Sequence, residues 1–212
     1  MIGGGNPLWL IVLAAAVAIL PILIGILTSY VKINIILSFL RSGLGAQQVP
    51  GNLVIMALSL ALTAYIMSPV ISKTFEIGEN IQVEDFKGSP NFENLKKLTP
   101  LFAPWSEFML KHSGEREIAV LTQLAEEEKT KEEPPIRIVI PAFVLTEIKA
   151  AFMMGFMVLL PFLVIDLVVA NVLTGMGMYM LSPVIVSLPL KLILFVMADG
   201  WLLLTKGIIQ SY

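Results

Sequence analysis

The charges of this chain are segregated, and that limits its possible folds more than any other feature. The 61 positions from Lys73 to Glu133 hold 8 basic and 13 acidic residues, net −5. The other 151 residues hold 9 charges, net +3, and before Lys73 only Lys32 and Arg41 are charged. The order is therefore apolar, polar, apolar. With 57% hydrophobic residues, 14% charged residues and a mean hydropathy of +0.86, the chain has too little charge to coat a water-facing globule. The expectation is a membrane protein, or part of an assembly that hides most of its surface. No cysteine is present, which excludes a disulfide scaffold, thiol catalysis and a thiolate metal site. The net charge of −2 argues against a nucleic-acid partner.

Leu8 to Val31 is uncharged for 24 residues, enough to cross a hydrocarbon core of about 30 Å as a helix, with Pro21 as its kink. A signal peptide fits less well, because no Lys or Arg precedes the run and the run is long. A second apolar run covers Val49 to Ile71. The link between them, Lys32 to Gln48, carries Lys32 and Arg41, and the positive-inside rule puts it on the cytoplasmic face with the acidic module opposite. Within that module Ser106 to Glu128 reads as a helix, with Phe108, Met109, Ile118, Leu121, Leu124 and Ala125 as its stripe. Glu126 to Glu128 reads as its solvated end. The lone His112 has no ligand set or triad around it. Ile136 to Met180 is apolar and twice too long for one crossing, with Pro161, Gly175 and Gly177 as expected breaks; Val184 to Ile209 follows. The pattern is all-α: an apolar helical pair (1–72), a polar helical module (73–135) and C-terminal helical hairpins (136–212). Nothing alternates as a β-barrel requires.

Glu147, Lys149, Asp166, Lys191 and Asp199 lie in the C-terminal apolar region, where an unpaired charge costs at least about 2.5 kcal/mol. Three readings are open. Glu147 and Lys191 pair across helices, within a chain or between copies. Alternatively, Asp166 and Asp199 relay ions, as in a secondary transporter of an ion or small solute. The third is an intramembrane aspartyl protease, although Val-Ile-Asp-Leu and Ala-Asp-Gly are not the contexts expected of one. Ala151 and Gly155 form a small-x-x-x-small pair that lets helices approach. Met176, Met178 and Met180 sit among Gly175, Gly177 and Tyr179, just before Ser182-Pro183. Such a loop offers a soft apolar surface, able to seal a pore if repeated around an axis.

Several blocks resemble one family. Pro141 to Phe156 (PAFVLTEIKAAFMMGF), Pro161 to Trp201, Thr28 to Pro50 and Met67-Ser68-Pro69-Val70 are similar to the signatures of the FliP/SctR export-gate proteins of flagella and type III secretion injectisomes. The resemblance implies a non-enzymatic, cofactor-free, all-helical subunit of a conical homo-pentamer in the bacterial inner membrane, with its polar module periplasmic. It also implies FliQ/SctS-like and FliR/SctT-like neighbours, FlhB/SctU-like and FlhA/SctV-like contacts, and passage of unfolded export substrates. By resemblance, Met176, Met178, Tyr179 and Met180 map to a constriction gasket, where Tyr179 departs from the flagellar Met run. Glu147 and Lys191 map to an intersubunit ion pair. Val31-Lys32-Ile33 and Gln47-Gln48-Val49-Pro50 look more like injectisome members.

Overall fold

The computed structural model describes residues 7–45, 50–79, 99–125 and 134–212. Among these the chain forms eight helices: α1 (Pro7–Leu27), α2 (Tyr30–Leu44), α3 (Asn52–Glu79), α4 (Thr99–His112), α5 (Glu115–Leu124), α6 (Ile136–Gly175), α7 (Pro183–Met197) and α8 (Gly200–Gln210). By length and composition α3 and α6 can each cross a membrane. Two bent pairs also qualify if each is taken as one span: Pro21–Leu27 with α2, at 90°, and α7 with α8, at 64°.

The residues expected to link the first two apolar runs form α2, a helix packed against α6 and α3. Ile33, Ile36, Leu37, Leu40 and Leu44 recur at helical spacing and are all buried. The first apolar run accordingly ends early, at Thr28 and Ser29. There the Thr28 hydroxyl donates to the Ile24 carbonyl and accepts the Tyr30 N–H, drawing backbone partners out of a continuous helix.

α2 packs most closely along α6, and the two run in the same direction: Lys32 meets Glu147, Phe39 meets Gly155 and Gly43 meets Phe162. The approach depends on glycine at both crossings. A Cβ on Gly155 would stand 2.5 Å from the Phe39 ring, and one on Gly43 would stand 2.6 Å from the Phe162 ring. Ala151 is fully buried in the cluster of Ile33, Ile36, Leu37, Ile55, Leu62 and Ile208. The small-x-x-x-small pair on α6 is thus the seat of α2.

α6 corrects a second expectation. It is a single 40-residue helix, about 60 Å long, and runs through Pro161. An interior proline costs about 3 kcal/mol, but the next residue, Phe162, is buried with Leu40, Leu44 and Phe195 and holds the segment in place. The helix ends where the two glycines were expected to end it.

The Ser106-to-Glu128 helix is likewise two helices, parted at Ser113 and Gly114. There the Gly114 N–H donates to the Thr146 hydroxyl of α6 at 2.8 Å rather than continuing a helix. Phe108 and Met109 are buried, but Leu124 is exposed. Glu126 to Glu128 lie outside the described residues. The last apolar piece bends at Asp199, whose φ of +49° is left-handed. Gly200 follows it because a Cβ there would lie 2.2 Å from the Phe195 ring.

Candidate functional site

The expected pair Glu147 and Lys191 is not joined within the chain; each has a different, buried partner. Glu147, 4% exposed, faces Lys32, 3% exposed, with Nζ 3.5 Å from Oε1. The Tyr212 hydroxyl donates to the other carboxylate oxygen. Lys32 uses its remaining donor capacity on the Ser211 carbonyl at 3.4 Å, and its ammonium lies 4.0 Å from the centroid of the Tyr212 ring. α2, α6 and the segment after α8 thus meet at one neutralised group of charges. Lys32 was legible as an isolated charge in a long uncharged run, and such a charge needs a partner. No sequence signal pointed to Tyr212.

Lys191, 1% exposed, pairs with Asp166 at 2.7 Å and donates to the Gly43 carbonyl at 2.9 Å. The Ser187 hydroxyl donates to the second oxygen of Asp166. Ser187 and Lys191 are four residues apart, so both project from one face of α7 towards α6. Gly43 lies in the last turn of α2, and Gly45 takes φ +74° there, so the ammonium also meets the negative end of that helix. With both oxygens engaged, Asp166 is a tie between helices rather than a free relay carboxylate. Asp199 sits apart from it, exposed at the α7–α8 bend. Lys149 is also exposed and reaches Glu117 of α5 at 3.0 Å. That contact holds the Glu117 carboxyl below the usual carboxylate range, chiefly through the hydrogen bond from Lys149.

The α6–α7 turn presents the methionines. Gly177, at φ +77°, lets its N–H donate to the Thr174 carbonyl while the Met178 N–H donates to the Leu173 carbonyl. This is a complete Schellman motif, which stops the helix sharply and favours a residue without a Cβ at the left-handed position. Pro183 then opens α7 with the φ a first helical turn requires. Between the two stops Met176 and Met178 are exposed, Tyr179 is 77% exposed and Met180 is fully exposed. The tip is continuous with exposed apolar residues on both flanking helices, including Leu167, Val172, Ile185 and Ile193. An uncovered apolar surface of this extent is one that lipid or another protein surface covers.

Comparison with known proteins adds the family. The profile described as "FliP family" matches residues 13–208. The chain is 38% identical over 209 residues to the flagellar biosynthetic protein FliP of Bacillus subtilis, covering 96% of this chain and 90% of that protein. It is 36% identical over 214 residues to the hypersensitivity response secretion protein HrcR of Ralstonia nicotianae, covering 96% of each. The Yop proteins translocation protein R of Yersinia pestis matches at 36% over 210 residues, covering 96% of this chain and 95% of that protein. Flagellar and injectisome relatives match about equally well, so overall similarity does not favour the injectisome branch.

Proposed function

The chain belongs to the FliP family, and from that premise we propose that it is a component of a bacterial flagellar or type III protein-export apparatus. More specifically, it is the gate subunit. Several copies, five by family resemblance, surround a conduit for unfolded export substrates in the inner membrane. Small helical FliQ/SctS-like and FliR/SctT-like subunits complete the ring, FlhB/SctU-like and FlhA/SctV-like components contact it, and the acidic module is periplasmic. Its action is steric rather than catalytic. Met176, Met178, Tyr179 and Met180 close the conduit as a gasket and yield to a passing chain. Methionine suits that task because its unbranched, polarizable side chain packs against many shapes.

The observation that carries this reading is the α6–α7 turn. Two backbone stops hold a short apolar tip fully outside the subunit, where one chain gives it nothing to cover. In-chain ion pairs neutralise Lys32, Glu147, Asp166 and Lys191. The exposed apolar faces of α6 and α7, which flank the tip, are offered to neighbouring copies.

Two measurements test the proposal. Native mass spectrometry after mild detergent extraction is expected to give a ring with partner subunits; a lone monomer is the result that refutes it. Replacing Met176, Met178 and Met180 together by Ala is expected to raise ion leakage through the assembled gate. Unchanged permeability removes the gasket role.

A further inference from the structure

The two sides of α8 differ in character. Gly200, Leu204 and Ile208 follow one another at helical spacing and face inward: Gly200 and Ile208 are buried, and Leu204 packs against two of the core clusters. The opposite side carries Asp199, Leu202, Leu203 and Lys206, all exposed, the two leucines at 63% and 70%. Spacings of three, one and three residues set these four along one stripe. Asp199 belongs to it because its carbonyl accepts the Leu203 N–H at 3.0 Å, which places it on the first turn.

Neither charge of the stripe is answered within the chain. Asp199 stands at the N-cap of α8, yet its carboxylate caps no amide. Among the described residues neither its side chain nor that of Lys206 has a hydrogen-bonding or ionic partner. Seven residues set them about 10.5 Å apart along the axis, two turns rather than the one at which helical neighbours pair. Val196 and Met197 are exposed beside Asp199, so the carboxylate stands in apolar surroundings, where an unpaired charge is costly.

Read from either end, the stripe runs charge, leucine, leucine, charge, with the signs exchanged. Two such stripes laid antiparallel bring each Asp199 against Lys206 of the other copy, and each Leu202 against Leu203 of the other copy. One operation answers every group twice, which is the condition for an isologous contact about a two-fold axis. Stripes laid parallel in register oppose like charges instead. Copies in one bilayer share their orientation, so such an axis runs along the membrane normal. α8 is free to meet its counterpart across that axis because it leaves the direction of α7 by 64°. Gly207, beside Lys206, leaves room for the second backbone: a Cβ there would meet nothing within 4 Å.

We infer that the outer side of α8 is a self-recognition surface, on which a second copy of this chain docks its own α8 antiparallel through two Asp199–Lys206 pairs around a leucine centre. The contact goes beyond the ring reading, since it uses α8 rather than the faces of α6 and α7.

The chain has no cysteine, so a single one introduced into the full chain in detergent reports the contact. Leu203→Cys lies beside the axis and is expected to oxidise to a disulfide-linked dimer; Gln210→Cys, exposed but far from the axis, is expected to stay largely monomeric. Adding Asp199→Lys or Lys206→Glu to Leu203→Cys opposes like charges in both pairs and is expected to slow dimer formation about tenfold. Mixing those two charge variants sets two lysines against two carboxylates and is expected to restore the rate. Asp199→Gly is expected to slow cross-linking while the chain's Tm rises, which separates loss of contact from loss of fold. Equal cross-linking at Leu203→Cys and Gln210→Cys overturns the proposal. So do charge variants that cross-link unchanged, or a mixture no faster than its components. A Leu203→Cys chain that stays monomeric leaves this side of α8 to lipid and overturns it as well.

Discussion

Reversing Glu147 tests which partner the fold has given it. The 3.5 Å separation from Lys32, at an effective dielectric of about 20, corresponds to an attraction of about 5 kcal/mol. Glu147→Lys turns that into repulsion and removes the carboxylate to which the Tyr212 hydroxyl donates. Relaxation and water entry reduce the loss, and broken buried pairs typically cost about 3–5 kcal/mol. For a chain of this length that is a fall of about 6–20 °C in Tm, read from the tryptophan fluorescence of the purified full chain. The second substitution is the informative one. Adding Lys32→Glu restores the pair with its sign reversed and is expected to recover most of the loss. Adding Lys191→Glu is expected to deepen it, because a second carboxylate then faces Asp166 where the ammonium lay at 2.7 Å. Recovery with Lys191→Glu but not with Lys32→Glu refutes the in-chain assignment and gives Glu147 and Lys191 to a contact between copies.

Three further outcomes follow from the packing. Gly155→Ala puts a methyl 2.5 Å from the Phe39 ring and 3.1 Å from its Cβ, so α2 must shift; a loss of about 1–3 kcal/mol is expected in denaturant or thermal unfolding, and a neutral result contradicts the close α2–α6 crossing. Asp199→Gly relieves a left-handed residue at the α7–α8 bend, and a gain of up to about 1 kcal/mol is expected in the same assay. The third is a pH effect at Glu117. Its carboxyl is held low by Lys149, so its contribution is present above the ordinary carboxylate pKa and is lost as pH falls through the lowered one. Amide exchange in α5, compared between wild type and Lys149→Met, is expected to rise on acidification in the wild type and to show a weaker dependence in the variant.

What was legible in the sequence followed from local rules. Long uncharged runs require helices, because a backbone away from water must satisfy its own hydrogen bonds. Gly175 and Gly177 marked the end of α6, and Gly177 takes the left-handed position there, which a residue without a Cβ adopts most readily. The ordered blocks around Glu147, Asp166 and the methionines carried the family, since they combine residue types in an order that composition alone does not produce. Ala151 and Gly155 announced a close approach but not which helix would make it.

The rest needed the tertiary structure. Pro161 reads as a breaker, yet Phe162 is packed so well that the helix continues through it. The residues between the first two apolar runs read as a link, yet they form a helix packed against α3 and α6, because Ile33, Ile36, Leu37 and Leu40 have somewhere to be buried. The charge partners were the least legible of all. Opposite signs identify every candidate pair, but the choice of Lys32 for Glu147 and of Asp166 for Lys191 depends on which helix faces run together. Sequence fixes how many charges must be neutralised in an apolar interior; only packing, which sets distances to within an ångström, decides which charge neutralises which.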